Sequence, residues 1–466
     1  MAQYTGSSAA ILSNYDEVLK TFYLPAIQEQ LNNETVLSSQ IDTNEEDVSG
    51  KNATIQCHYG RTKGTGARAD GGPLPTADFQ KFKTCTVPMK YNYGRVTFSG
   101  PTIAATRDEK GSYARVIDTE IAGCVTDLRK EVNRQLWGCG GGVIGRNLAD
   151  YTTDGQTFQK KYRGNARGPD AFGSTFGGKY VEENAGCVAV VLTGTTTITA
   201  ATVDTTDMAV TAVDSTTSTD SDDVTSTDPS VTEAAGTFYV RPASLVTITS
   251  GSSAGAWRLE MMGLRGIITN TDLDEILLVN DASGGTDGLS SPNDPLQGLD
   301  VSTYAWFKAL VSTHSSGRYQ GQRALSLDMM QQMFDKVEIK AGKDYGPNMI
   351  MTTHAIRREY LELMQADRRN VNTMTLDGGW KALDFNGIPL MVDPDAIDGE
   401  MYFLTTKDLQ IYRMSDYDWM TKDGAILSRI SGYDAYEAVL FRYAEMGAKR
   451  RNSQGVICDI AYDSDR

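Results

Sequence analysis

Histidine is almost missing from this 466-residue chain, which has only His58, His314 and His354. Cysteine is scarce as well: residues 57, 85, 124, 139, 187 and 458, with no CxxC pair. A zinc site needs four convergent ligands. The sole Cys/His neighbours, Cys57 and His58, are adjacent in a predicted strand, where consecutive side chains point to opposite faces. No metal site is therefore expected. The thiols are too sparse for a disulfide scaffold and are expected to be reduced and mostly buried, in a chain made in a cytoplasm. Long apolar runs are lacking too. The longest, such as 188–192 and 276–279, fall far short of the ~18 residues of a spanning helix, so no membrane partner is expected. The first lysine is Lys20, after the only N-terminal apolar patch, which argues against a secretory signal. Positive charge is in deficit, with 44 basic against 60 acidic side chains and a net charge of −16. That balance argues against a general nucleic-acid coat, because the phosphate backbone rewards net positive charge.

Catalytic signatures are also wanting. GGGVIG (140–145) matches GxGxxG, but it follows a predicted helix, whereas a dinucleotide-binding loop must follow a strand and open a helix. GTGARA (64–69) runs into Asp70-Gly-Gly-Pro-Leu-Pro, which cannot continue as a helix. No GxxxxGK[ST], GxSxG or HExxH occurs. Asp272, Asp274 and Glu275 have neither EF-hand spacing nor a partner histidine and read as a solvated loop. His314 and His354 lack an adjacent nucleophile pattern. Met329, Met330 and Met333 read as adaptable packing. No catalytic, cofactor-binding or metal-binding residues are expected, and no enzyme activity.

What is present is geometric. Residues 15–31 carry Val18, Phe22, Ile27 and Leu31 near helical spacing, interrupted by Pro25, and residues 43–52 read as a loop. Two strand-rich runs, 53–61 and 81–100, bracket a glycine- and proline-rich tip at 60–75, which predicts a long projecting hairpin. Over 108–137, Tyr113, Ile117, Ile121, Val125, Leu128, Val132 and Leu136 fall three or four apart. They predict a long one-sided helix, capped near Thr106 or Ser112 and stopped by Gly138. From 180 to 240 there is no lysine or arginine but ten carboxylates. Alternation of β-branched with small residues predicts short strands and acidic turns there. Further on, the patterns predict helices at 304–311, 325–342 and 354–365, a strand at 348–353, and a strand pair turning at Asn386-Gly387. The end of the chain reads as strand-dominated.

Several segments in this order resemble the major capsid protein of tailed double-stranded DNA bacteriophages, whose fold is named after phage Hong Kong 97. They are HYGRTKGTGARADGGPL through YNYGRVTFSGPTIAATRDEKGSYARVIDTEIAGCVTDL, then PNMIMTTHAIRREYLELMQADRR, and GWKALDFNGIPLMVDPD with the run ending at GAKRRNSQGVICDI. The resemblance covers about three-quarters of the chain and rests on order and spacing rather than on a short invariant signature. It implies an α+β Hong Kong 97-like capsid fold with an N-arm at 1–52 and an extended E-loop hairpin at 53–100. A peripheral domain with a long spine helix would comprise 101–139 and 401–466. An axial domain would fill most of 261–400, and residues 140–260 would be an inserted β-rich acidic domain. The implied function is self-assembly, as hexamers and pentamers, into an icosahedral shell around the phage genome. The alternative is the shell of an encapsulin-type nanocompartment, which shares the fold.

The expected partners are copies of the chain itself, a portal at one vertex, separate scaffolding and decoration proteins, and packaged double-stranded DNA in non-specific proximity. The expected location is the virion. Only about fifty residues precede the E-loop, so a scaffolding segment would be a separate protein or already removed. Candidate inter-subunit contacts are Arg61, Lys63, Arg68, Lys81 and Lys83 in the arm, with Arg357, Arg358, Arg368 and Arg369 further along. The last four, like Lys449, Arg450 and Arg451, face acidic surfaces of neighbours or packaged nucleic acid, or else form an ordinary solvated face. One branch of the family cross-links subunits through Lys–Asn isopeptide bonds. No Asn and Glu partner set is identifiable here for Lys63, Lys81 or Lys83, so no covalent cross-links are expected. The acidic insertion is expected to face solvent, because its carboxylates would be repelled by packaged DNA.

Overall fold

The structure is a computed structural model. It describes residues 35–101, 116–140, 142, 259–269, 296–301, 303–314, 323–366, 381–421 and 426–462, together with the backbone of short strands between 145 and 242 and at 373–375. The helix expected at 15–31, the caps expected near 106–112 and the carboxylates at 272–275 lie outside the described residues.

The first elements are α1 (Val36–Gln40), β1 (Asp42–Asn44), β2 (Val48–Ser49), β3 (Asn52–Gly60), β4 (Lys81–Pro88), β5 (Lys90–Ser99) and α2 (Val116–Gln135). Between 145 and 242 lie β6 (Gly145–Arg146), β7 (Thr152–Asp154), β8 (Thr157–Lys161), β9 (Gly186–Thr193), β10 (Ala200–Val203), β11 (Met208–Ala209), β12 (Asp223–Ser226) and β13 (Phe238–Pro242). Then follow α3 (Leu264–Ile267), β14 (Leu310–Ser312), α4 (Leu327–Ala341), β15 (Met349–Thr352), α5 (His354–Ala366), β16 (Thr373–Thr375), β17 (Lys381–Phe385) and β18 (Ile388–Val392). The chain closes with β19 (Met401–Leu404), β20 (Leu409–Trp419), β21 (Ser428–Arg429), β22 (Ala435–Ala448) and β23 (Gly455–Ile457).

Two sheets organise the body. In one, β1, β20, β22 and β21 run side by side and β5 adds to the other edge of β22. The second has seven strands in the order β14-β23-β19-β15-β18-β17-β16. Its central strands β15 and β19 are buried along their whole length. That is why their sequences, MIMT and MYFL, are continuously apolar rather than alternating. Helix α4 closes over this sheet with Met330, Met333 and Val337 fully inward, so the methionine cluster is packing. Ser326 caps α4 by accepting from the Met329 N–H at 3.2 Å, and Gly342 stops it at φ 95°. These are the start and stop signals that the sequence carries. Asn386 and Gly387 have φ of 52° and 78°, the double left-handed turn that suits this hairpin dipeptide.

Helix α2 leaves its C-terminal half in the core, with Val132, Leu136 and the following Trp137 essentially inaccessible, while Ile121 and Val125 are only half-buried. It packs against β5, and a Cβ added at Gly94 would stand 2.8 Å from the Cys124 sulfur. Glycine at 94 therefore sets how closely helix and sheet approach. After α2 the chain departs at Gly140 and returns at Glu260, whose N–H donates to the Gly140 carbonyl at 3.2 Å. Cys139 and Met262 form a bridge beside it. Among the described residues, the 145–242 strands pair only with one another, as a five-stranded and a three-stranded sheet.

Three expectations are corrected. Residues 43–52 are not simply a loop: 42–44 form β1, in parallel register with Gln410 to Tyr412 of β20, and 48–49 form β2 against β3. Residues 304–311 are not one helix but a single 3-10 turn, Ala305–Phe307, followed by β14, because pairing with β23 takes the chain into a sheet. The run 81–100 divides at Met89. Its first half pairs with β3 and its second with β22.

Candidate assembly surface

Pairing of β3 with β4 builds the projecting hairpin, in register from Asn52↔Pro88 to His58↔Phe82 and shifted by one residue at Gly60↔Lys81, with residues 61–80 as its tip. At its base Ala53, Val87 and Met89 are buried against Tyr412 of β20. Further out, Tyr59 stacks on Trp306 with ring centroids 5.1 Å apart, and Lys83 Nζ lies 5.1 Å from the Tyr304 ring centroid. Alternation then follows the period of a strand: Cys57 and Cys85 face inward, while His58 and Phe82 face out, their rings 4.9 Å apart.

The tip has local order of its own. The Lys63 N–H donates to Asp78 Oδ2 at 3.0 Å, and Gly72 N–H to the Ala69 carbonyl at 3.0 Å, with Gly71 at φ 71°. Backbone N–H groups of Lys63 and Phe79 hold the Asp78 carboxyl below its usual range. GTGARA lies within this tip and forms no helix, while part of GGGVIG lies outside the described residues. The outer hairpin carries exposed apolar side chains: Leu74, 87% accessible, and Phe79, 72%, in the tip, and Phe82, 62%, on β4 beside it. Several large apolar side chains left outside a fold on one limb mark an interaction surface.

The expected contact residues separate into groups. Arg61, Lys63, Arg68 and Lys83 are exposed and Lys81 half-buried, all on this hairpin. Arg357 and Arg358 are carried elsewhere, on α5, which packs against β18; Arg357 is half-buried and its Nε has no acceptor among the described residues. Arg368 and Arg369 lie outside the described residues. Of the histidines, His58 bonds Gln80 Oε1 at 2.8 Å and His314 donates its backbone N–H to Asp459. Among the described residues no group of three or more His, Cys, Asp or Glu could hold a metal ion, and no helix is long and apolar enough to cross a membrane.

Two features escaped sequence reasoning. The first fastens the N-terminal segment. Asp393, fully buried just beyond β18, accepts from the Leu37 N–H at 2.9 Å. Asn133 of α2 accepts from Ser38 N–H at 3.1 Å and donates to Asp395 Oδ2 at 2.7 Å. The second is an aromatic face on β5 and β22, opposite α2: Tyr91 and Tyr93, each about half accessible, meet Tyr443 edge-on, and Tyr443 lies 4.9 Å from Phe441. Only the alternation in YNYGRV hinted at the second; nothing local hinted at the first.

No protein-family model and no curated protein matches the sequence. Among solved structures, the chain is similar to one from the cyanophage A-1(L) capsid asymmetric unit, with 13% identity, a TM-score of 0.56, and coverage of 97% of this chain and 99% of that one. A chain of the SrpI encapsulin complex from Synechococcus elongatus PCC 7942 matches with 7% identity and a TM-score of 0.46, over 98% of this chain and 99% of that one. One from the capsid of Myoviridae phage XM1 matches with 7% identity and a TM-score of 0.43, over 98% and 100%. The likeness to the cyanophage chain, nearly end to end in both, shows that this chain has the α+β fold of a phage capsid subunit, as the sequence resemblance implies.

Proposed function

We propose that this chain is the major capsid protein of a tailed double-stranded DNA bacteriophage, assembling as hexamers and pentamers into the icosahedral shell that encloses the genome in the virion. The observation that carries the reading is the full-length likeness in fold to a capsid chain, combined with a projecting hairpin that exposes Leu74, Phe79 and Phe82. A closed shell made of one chain needs limbs that reach neighbours from a rigid body. Each such contact can be weak, because many act together.

In this reading residues 1–52 act as the N-arm, and its fixed end is the Asp393–Leu37 hydrogen bond. Residues 53–100 act as the E-loop. Its basic side chains Arg61, Lys63, Arg68, Lys81 and Lys83 approach the acidic surface of a neighbour whose net charge is −16. Arg357, Arg358, Arg368 and Arg369 serve as further inter-subunit contacts. Residues 101–139, with helix α2, and 401–466, with β20 and β22, act as the peripheral domain, and most of 261–400, with α4 and α5, as the axial domain. The segment 140–260 is an inserted β-rich acidic domain, a reading supported by the adjacency of Gly140 and Glu260, and it faces solvent because packaged DNA would repel its carboxylates. A portal, scaffolding and decoration proteins, and packaged DNA are its further partners, and it carries out no catalysis.

Expression of the full chain followed by electron microscopy tests the reading, with closed, uniform shells as the expected result. A lone subunit in solution that is also absent from purified virus particles would overturn it. Neighbouring genes for a portal, terminase and protease fit the phage reading, whereas a neighbouring cargo enzyme would favour a nanocompartment.

A further inference from the structure

At the root of the hairpin, Cys57 Sγ and Cys85 Sγ stand 3.0 Å apart. They are diagonal neighbours, since Cys57 pairs with Lys83 and Cys85 with Ile55, and both point inward from adjacent strands. Cys85 is fully buried and Cys57 is 8% exposed. They sit in the core, between the part of the hairpin fixed to Tyr412 and the outer contact of Tyr59 with Trp306. We propose that these two thiols form a reversible disulfide that locks β3 to β4 and closes the projecting tip into a covalent loop.

The geometry asks for little movement. A disulfide has its sulfurs about 2.0 Å apart, so closure from 3.0 Å moves them together by about 1 Å. The two thiols also differ in chemistry. A hydrogen bond from Cys85, aided by the positive charge of Arg450, holds the Cys57 thiol below its ordinary value against the opposing effect of burial. Cys85 is pushed the other way by the same hydrogen bond and by burial. The more acidic thiol is thus also the more accessible one, which is the order that exchange needs.

The oxidant is a low-molecular-weight disulfide such as oxidised glutathione. The Cys57 thiolate attacks one of its sulfurs, forming a mixed disulfide and releasing one small thiolate. Cys85, deprotonated as the root breathes open, then attacks Cys57 Sγ and expels the second small thiolate. The two protein thiols are oxidised and the small disulfide is reduced to two thiols, which take up the two protons. In a reducing cytosol the pair stays open, and outside it the pair closes.

The test uses the full chain, purified under reductant, then treated with oxidised glutathione and blocked with iodoacetamide in denaturant. Trypsin cleaves after Lys51, Arg61, Lys83 and Lys90. The expected product is therefore peptide 52–61 joined to peptide 84–90, two hydrogens lighter than the sum of the two and split by reductant. Oxidation should also raise the melting temperature of the wild type by several degrees and leave Cys57→Ser unmoved. Full alkylation of both cysteines, or a glutathione adduct that stops at Cys57, would overturn the proposal. So would a bond that forms with no change in melting, since it would then lock nothing. The peptide measurement needs no variant, so it decides the matter even if Cys57→Ser folds poorly.

Discussion

Glu445 sits near the end of β22 with 2% of its surface accessible. One carboxyl oxygen, Oε1, accepts from the Met262 N–H at 2.5 Å and from its neighbour Met446 N–H at 3.0 Å. The first bond ties β22 to the segment on which the chain returns from residues 145–242. Burial pushes this carboxyl up from about 4.5 to about 8, although Lys90 and the two N–H donors pull the other way. Between those values the folded chain holds a proton that the unfolded chain has lost, so stability falls as pH rises through that window and is fully present only below it. At about 1.4 kcal/mol per pH unit, the window is worth about 5 kcal/mol. Glu445→Gln keeps the Oε1 acceptor and the neutral charge at every pH, so the variant should lack this dependence. A chain of 466 residues unfolds with an entropy of roughly 1 kcal/mol per kelvin. The melting temperature of the variant relative to wild type should therefore climb by about 1.4 °C per pH unit from pH 4.5 and level off above pH 8, some 5 °C higher. Differential scanning fluorimetry across this range measures the difference directly. Wild type and variant melting curves that stay parallel in pH would refute the reasoning, whatever their constant offset.

Asp393→Ala leaves the buried N–H groups of Leu37 and Asp395 without their acceptor. It should cost at least about 2 kcal/mol and make the chain near residue 40 markedly quicker to cleave in limited proteolysis. Gly94→Ala drives a methyl group to 2.8 Å from the Cys124 sulfur, which should cost about 1–3 kcal/mol in denaturant melts. Adding Cys124→Ala should restore most of that loss, and a failure to restore it would place the strain elsewhere. Deletion of residues 62–72, which carry Lys63 and Arg68, should leave a soluble subunit that assembles poorly, read by sedimentation; normal shells would remove the tip from the assembly surface. Boiled, reduced particles should run as a single monomer band on SDS gels, and a ladder of multimers would show covalent cross-links after all.

Local signals were read well from sequence because their physics is local. Ser326 and Gly342 bound α4 through their own backbone preferences, and Asn386-Gly387 makes its turn without help from the rest of the chain. The failures are all non-local. TNEEDVSGKN is polar and turn-rich, yet part of it joins a sheet because β20, more than 300 residues later, offers a free edge. The run 81–100 has one continuous strand pattern, and only the presence of β22 divides it between a hairpin and a second sheet. The 304–311 run lost its helix to pairing with β23 in the same way. At the surface, the basic hairpin residues were legible from composition. The anchor formed by Asn133, Asp393 and Leu37 was not, because its parts lie far apart in the chain and each looks ordinary alone. The closeness of Cys57 to Cys85 depended on strand register, which sequence patterning leaves open.

In the role proposed for it, this polypeptide encloses space with copies of itself. Cryo-electron microscopy of particles formed by the purified full chain puts that role to the test. Closed icosahedral shells are expected, in which the 52–88 hairpin of each subunit lies across an adjacent one, burying Leu74 and Phe79. Particles in which these side chains remain in solvent, or a preparation holding only single subunits, would contradict it.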